Sequence, residues 1–142
     1  MRNRIFMIDD SLAEPIFLRE AIVQATLDVE LEAFNESVIA LQELKTREEN
    51  NKFKLPHLIL LDINMPGDSG IDILHKLKNE GRLRLIPVVV LTSSNLLKDI
   101  EDSIDAGARS IIVKPTNIED YKNMITNVYK YWFETIKVNR VV

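Results

Sequence analysis

The chain has 142 residues, of which 46% are hydrophobic and 28% charged, and its net charge is −4. This composition predicts one folded domain, excludes an intrinsically disordered chain and argues against a nucleic-acid-binding domain, which would be basic. The absence of cysteine excludes disulfides and thiol chemistry, and because no apolar stretch has the length of a membrane span or a secretory signal, we expect a cytoplasmic protein.

The first half of the chain predicts two strand–helix units. Residues 5–8 form a short apolar run typical of a buried strand, and Ser11 and Glu14 have the spacing of a helix capping box. The positions expected to face inward from this first helix are Ile16, Leu18, Ile22 and Val23. Residues 29–34 alternate as in an edge strand, and 37–48 carry apolar residues at helical spacing.

Three more units follow in the second half. Residues 57–61 and 88–91 are near-continuous apolar runs, as in central parallel strands, and 110–113 predict a fifth strand. A helix is expected after each, the fourth capped by Asn95 and the fifth begun by a capping box at 116–119. The inward positions expected for these helices are Ile71, Leu74 and Leu77; Leu97, Ile100 and Ile104; and Tyr121, Ile125, Val128 and Trp132. This alternation predicts an α/β fold, a doubly wound five-stranded parallel sheet.

Polar side chains stand where the predicted strands end. The first strand leads into Asp9 and Asp10, the third into Asp62, the fourth into Thr92 and the fifth into Lys114. Ligands of open parallel sheets bind at these carboxyl ends. Three carboxylates repel one another unless a cation is present, and an all-oxygen set suits Mg²⁺ or Mn²⁺. Together with a lysine and a hydroxyl, this pattern predicts metal-assisted phosphoryl transfer to an aspartate.

These features, in this order, resemble the response regulator receiver domain over roughly residues 4–136. The matching segments are the acidic pair Asp9-Asp10, residues 61–66 with Gly70, residues 90–93, and Lys114-Pro115. Residues 85–92 are also similar to stand-alone receivers that work with phytochrome-type histidine kinases. The resemblance implies a flavodoxin-like (βα)5 architecture with strand order 2-1-3-4-5. It also implies one receiver domain over 1–142 without an output domain.

The resemblance implies a role for each matching residue. Asp62 would be the phospho-acceptor, Thr92 would hydrogen-bond the phosphoryl group, and Lys114 would pair with it. The implied Mg²⁺ ligands are the carboxylates of Asp10 and Asp62, a water molecule held by Asp9, and the backbone carbonyl of Asn64. The Lys114–Pro115 peptide is expected to be cis, as in the family's turn.

The leading hypothesis is therefore a stand-alone two-component response regulator. It would accept a phosphoryl group from a histidine kinase or phosphotransfer protein on Asp62, switch its binding to a partner and slowly dephosphorylate itself, without being an enzyme for a separate substrate. Nucleic acid and membrane partners are not expected. The last helix is rich in aromatic residues, so a homodimer through the fourth and fifth helices is plausible. These aromatic residues are Tyr121, Tyr129, Tyr131, Trp132 and Phe133.

Alternatives rest on departures from this pattern. Receivers often carry Tyr or Phe three residues before the lysine, but here Ile111 has no ring to swing inward, which favours a non-switching interaction module. A phosphatase of the haloacid-dehalogenase type is disfavoured because Asn64 stands where its general acid would be. A flavin carrier is disfavoured because Asp9-Asp10-Ser11 would repel a phosphate. His57 is interpreted as structural and His75 as solvated.

Overall fold

The computed structural model describes residues 2–65, 70–93 and 96–135. Its strands are β1 (Asn3–Ile8), β2 (Val29–Phe34), β3 (Leu58–Asp62), β4 (Val88–Thr92) and β5 (Ser110–Val113). Its α-helices are α1 (Ala13–Gln24), α2 (Ser37–Asn50), α3 (Gly70–Lys78), α4 (Leu97–Asp105) and α5 (Ile118–Tyr129). Short 3₁₀ helices cover Lys52–Lys54 and Gly81–Leu85, and a π-helical segment, Lys130–Thr135, extends α5.

All strand pairings are parallel, and the sheet has the order β2-β1-β3-β4-β5. This confirms the predicted fold class, strand order and edge position of β2. The strands β1, β3 and β4 are buried along their whole length because helices cover both faces of the sheet.

Two hydrophobic cores lie on opposite faces of the sheet. Successive side chains of a strand point to opposite sides, so Ile59 and Leu61 join the core beneath α2 and α3, whereas Leu58 and Leu60 join the core beneath α1 and α5. No helix among the described residues has the length and apolar character needed to cross a bilayer.

The buried stripe of α1 is narrower than predicted. Leu18 and Ile22 are buried, with Ala21 between them, but Ile16 is 65% exposed and Val23 73% exposed. The prediction was wrong for these two residues because one face of a helix holds positions spaced by three and four, and neither residue has that spacing from Leu18.

The inward face predicted for α4 was also wrong. Leu97 and Ile104 are 68% and 55% exposed, and Ile100 is only partly buried. The buried residues at this helix are Ser103 and Ala106, whose small size lets the helix lie close to the sheet. The Ser103 hydroxyl donates to the Asp99 carbonyl at 2.7 Å, which lets a polar residue occupy an inward position. Asn95, the predicted cap, lies outside the described residues.

The inward positions of α3 and α5 are confirmed in large part. Leu74, Leu77, Ile125 and Val128 are buried, as is Tyr121. Ile71 and Trp132 pack against the cores while staying partly exposed. The predicted capping box of α5 was wrong by one residue, since the N-cap is Asn117, whose Oδ1 accepts from the Asp120 N–H at 2.8 Å.

Both histidines occupy the places predicted for them. The backbone N–H of His57 donates to the Arg4 carbonyl at 2.8 Å, and the ring Nδ1 of His57 accepts from the backbone N–H of Arg4 at 3.0 Å. These two bonds hold the chain where it enters β3. His75 is exposed on α3.

Candidate functional site

The strand register brings the ends of four strands to the same edge of the sheet. Ile8 pairs with Leu61, Asp62 with Leu91, and Thr92 with Val113. Asp9, Asp62, Thr92 and Lys114, which are far apart in the sequence, therefore meet at the carboxyl edge.

Three carboxylates form the centre of this site. Asp9 and Asp62 are 1% and 3% exposed, Asp10 is exposed, and one carboxylate oxygen of each lies within 4.8 Å of the others. The Asp9 carboxylate is oriented by the Ser11 N–H, which donates to its Oδ1 at 2.9 Å. One hard cation can contact all three oxygens, so both the spacing and the donor chemistry fit a divalent metal ion.

Lys114 is the cation beside these carboxylates. Its Nζ lies 2.9 Å from Asp9 Oδ2 and 3.4 Å from Asp62 Oδ2, and its backbone N–H donates to the Thr92 carbonyl at 2.8 Å. Burial by itself lowers the pKa of Lys114, but its contact with Asp9 and the negative charges around it raise that pKa overall. The side chain is therefore held as an ammonium.

The Asp62 carboxyl is destabilised as an anion. Burial raises its pKa, and this outweighs the Asn64 N–H and Lys114, which lower it, while the charge of Asp9 raises it further. Burial of the ionised carboxylate is thus the main penalty, and the charge of Asp9 adds to it. An additional cation would relieve it.

Asn64 links the Asp62 carboxylate to the Thr92 hydroxyl through two hydrogen bonds. The Asn64 N–H donates to Asp62 Oδ1 at 2.9 Å, and its Nδ2 donates to Thr92 Oγ1 at 3.0 Å. Thr92 is fully buried. The structure therefore brings every predicted site residue to one edge, whereas the roles assigned to them stay predictions.

The expectation of a cis Lys114–Pro115 peptide, which came from the resemblance, was wrong. No peptide bond among the described residues is cis. The trans form of an X–Pro bond is intrinsically favoured by about 0.5–1 kcal/mol, and here the trans chain still places Lys114 against Asp9.

Sequence reasoning missed the position of Glu14. We predicted a capping box, and the Ser11 Oγ does accept from the Glu14 N–H at 3.3 Å. The reciprocal bond does not form, because the Ser11 N–H is already taken by Asp9. The Glu14 side chain lines a cavity of about 480 Å³ together with Lys114 and Ser93.

The Glu14 carboxylate is a partly buried acid in the cavity that adjoins Lys114. Its Oε2 is buried, and none of the described residues donates a hydrogen bond to it. Burial raises the pKa of Glu14, while Lys114 lowers it and the charges of Asp9 and Asp62 raise it. An acidic residue in the first turn after an acidic pair was the only signal for this position.

Ile111 lies on β5, three residues before Lys114, at the position where receiver domains often have an aromatic residue. It is partly buried and packs against the core beneath α2 and α3.

Comparisons with known proteins agree with this geometry. The family model described as the response regulator receiver domain matches residues 5–126. The response regulator Rcp1 of Synechocystis sp. is 31% identical over 132 residues, which cover 93% of this chain and 90% of Rcp1.

Two solved structures extend the similarity to the fold. The phosphorylated cyanobacterial phytochrome response regulator RcpA superposes with a TM-score of 0.86 at 28% identity, covering 98% of this chain and 99% of RcpA. The Mn²⁺-bound form of Rcp1 gives a TM-score of 0.81 at 30% identity, covering 96% of this chain and 98% of that one.

Proposed function

Because the chain belongs to the response regulator receiver domain family, we propose that its acidic site carries out Mg²⁺-dependent phosphorylation of Asp62. The observation that carries this proposal is the convergence of Asp9, Asp10 and Asp62 within 4.8 Å, with Lys114 against two of them. Asp62 is the central member because it ends β3, in the middle of the sheet.

The proposed transfer is a displacement at phosphorus. An Asp62 carboxylate oxygen forms a bond to the phosphorus atom while the bond to the donor breaks, and its electron pair leaves with the donor's nitrogen or oxygen. Lys114 neutralises charge on the phosphoryl oxygens, and the Thr92 hydroxyl donates to one of them. A bound Mg²⁺ would supply further positive charge there, held by Asp10, Asp62, a water on Asp9 and the Asn64 carbonyl.

We infer that the donor is a histidine kinase or a phosphotransfer protein. Exposed apolar side chains lie at the start of α1, the helix that follows Asp9 and Asp10, which supports docking of a macromolecule there. These are Leu12, Ile16 and Phe17, between 48% and 73% exposed. The similarity to the phytochrome response regulator RcpA supports a phytochrome-type kinase as the donor.

The output of this switch is proposed to be binding through α4 and the adjoining strand. Leu96, Leu97, Ile104 and Val113 are 55–68% exposed, an apolar surface that a downstream partner or a second copy of the chain could cover. The proposed homodimer would use this surface together with α5.

Intact mass after incubation with acetyl phosphate tests the acceptor. With Mg²⁺ the wild-type protein should gain one phosphoryl group, and with EDTA it should gain none. Asp62→Asn should prevent the addition. Asp105→Asn, which removes an exposed carboxylate on α4, should leave it unchanged. Addition that persists in Asp62→Asn would contradict the proposal.

A second candidate, the non-switching interaction module, is favoured by Ile111. Because this side chain packs into the core and has no polar group to turn inward, phosphorylation would not shift α4 through it. Amide hydrogen exchange with and without the phosphoryl mimic beryllofluoride separates the two functions. A change in the exchange of α4 and α5 supports the switch, and identical exchange supports the fixed module.

A further inference from the structure

Among the described residues, Glu14 is an acid beside this site that the proposed metal binding and transfer do not use. It is released from its helix-capping role because the Ser11 N–H donates to Asp9 instead. It lines the same cavity as Lys114, whose Nζ lies 3.4 Å from Asp62 Oδ2, so this cavity adjoins the carboxylate that would receive the phosphoryl group. Its buried Oε2 has no hydrogen-bond donor among the described residues.

The position of this charge matters because the departing group lies on the far side of phosphorus from Asp62. In an in-line displacement the attacking and leaving atoms are opposed, so the leaving group faces away from Asp62, and we place it in the adjoining cavity that Glu14 and Lys114 line. Charge that develops on the leaving group is therefore exposed to the field of Glu14, in a partly desolvated cavity where such fields are strong.

We propose that Glu14 selects phosphodonors by the charge of their leaving groups, favouring a protonated imidazole over an acyl phosphate. This inference rests on the proposed phosphorylation of Asp62. It makes Glu14 a specificity-determining residue that acts through its charge, without a bond to the phosphoryl group.

The two donors differ in the charge they carry in this cavity. In phosphoimidazole the N–P bond breaks, its electron pair stays on the ring nitrogen, and a ring protonated at its other nitrogen departs as neutral imidazole. In acetyl phosphate the O–P bond breaks and acetate departs as an anion. A carboxylate in this cavity stabilises the partly positive ring and opposes the growing negative charge of acetate.

Repulsion between Glu14 and the phosphoryl group itself is common to both donors. It cancels in the ratio of their second-order rate constants, so this ratio is the measured quantity. Phosphoimidazole and acetyl phosphate are compared with Mg²⁺ present, at about pH 7, where a fraction of the donor ring is protonated.

Glu14→Gln should lower the phosphoimidazole-to-acetyl-phosphate ratio at least about threefold, since a unit charge acting across a few ångströms is removed. Glu14→Asp, which retains the charge, should stay nearer to wild type. The matched control is Glu49→Gln, the same change at an exposed residue near the end of α2, which runs from the carboxyl edge of the sheet toward its opposite edge. It should leave the ratio unchanged.

The ratio is independent of any effect on folding, because both rate constants are measured on the same preparation and its folded fraction cancels. An unchanged ratio in Glu14→Gln, or an equal change in Glu49→Gln, would overturn the inference alone. Failure of both donors to phosphorylate wild type would overturn the proposed function.

Discussion

Gly70 is a single residue on which the geometry around Asp62, the proposed acceptor, depends. It begins α3 directly against the chain that follows β3, and an added Cβ would lie 2.6 Å from Ile63 Cα and 2.7 Å from the Asp62 carbonyl oxygen. Both neighbours are backbone atoms, which cannot rotate away. Position 70 therefore requires glycine, because the backbone of Asp62 and Ile63 leaves no room for a Cβ atom.

We predict that Gly70→Ala both destabilises the protein and slows phosphorylation. Relieving the overlap must move Asp62 or α3, and overpacking of this kind costs about 1–3 kcal/mol in the free energy of unfolding. Urea unfolding and the rate of phosphorylation by acetyl phosphate measure the two effects.

Gly107→Ala is the control for this prediction. Gly107 has φ = +110°, so alanine is strained there, but the nearest atom to its Cβ is 4.0 Å away in the Lys78 side chain. It should lose stability while keeping the wild-type rate. Equal rates for Gly70→Ala and wild type would contradict the role of close packing at the acceptor.

The C-terminus of α1 ends in a turn that usually requires glycine, but here a threonine occupies that position. The Leu27 N–H donates to the Ile22 carbonyl at 3.1 Å and the Thr26 N–H to the Val23 carbonyl at 3.1 Å, the two bonds of a Schellman motif. Thr26 has φ = 55°, where glycine is normally found. A β-branched residue in this conformation is strained.

We predict that Thr26→Gly raises the free energy of unfolding by about 0.5–1 kcal/mol, because relief of strain outweighs the entropy that glycine adds to the unfolded chain. Thermal or urea unfolding measures this change in the free energy of unfolding. Thr46→Gly, at an exposed position inside α2, should instead destabilise by about 0.5 kcal/mol, since glycine disfavours helix interiors. A loss of stability in Thr26→Gly would show that the threonine side chain has a stabilising role.

At the scale of the whole molecule, folding gathers like charges from separate strands. Asp9 follows β1 and Asp62 ends β3, while Lys114 follows β5 and contacts both. Burial raises the pKa of Asp62 above its unfolded value, so its ionisation opposes folding. This penalty is absent below the unfolded pKa of about 4 and grows as the pH rises through the folded pKa.

We predict that Asp62→Asn stabilises the metal-free protein by about 1 kcal/mol at neutral pH, because it removes a buried ionised carboxylate, together with its repulsion with Asp9, and leaves Lys114 its closer partner. The difference should shrink as the pH falls to about 4. Urea unfolding in EDTA at several pH values measures it.

Added Mg²⁺ should stabilise wild type more than Asp62→Asn, since the variant lacks one of the three charges that hold the cation. Asp105→Asn should respond to Mg²⁺ as wild type does. A metal-free Asp62→Asn that is less stable than wild type at neutral pH would contradict the view that the buried Asp62 charge opposes folding.

Much of the fold could be predicted because it depends on local patterns. Apolar runs such as 57–61 identify buried strands whatever surrounds them, and acidic or basic residues directly after a run mark strand ends. The site residues from Asp9 to Lys114 followed from this rule together with the resemblance. The predicted single-domain organisation without an output domain stays a prediction.

The errors arose where a position depends on its neighbours in space. Leu97 and Ile104 were expected to face inward, but the core beneath α4 has room only for Ser103 and Ala106. Ile16 is exposed for a similar reason, since hydropathy does not tell which of two helix faces meets the sheet. The cap of α5 shifted to Asn117 because the loop after Lys114 sets where the helix begins.

The sequence by itself determined the succession of strands and helices and the chemical types of the residues that end the strands, because both depend on the order of side chains along the chain. Only the tertiary structure decided that Glu14 lines a cavity together with Lys114. The reason is that the two residues are far apart in the sequence and meet only when β5 pairs with β4 and α1 packs against α5.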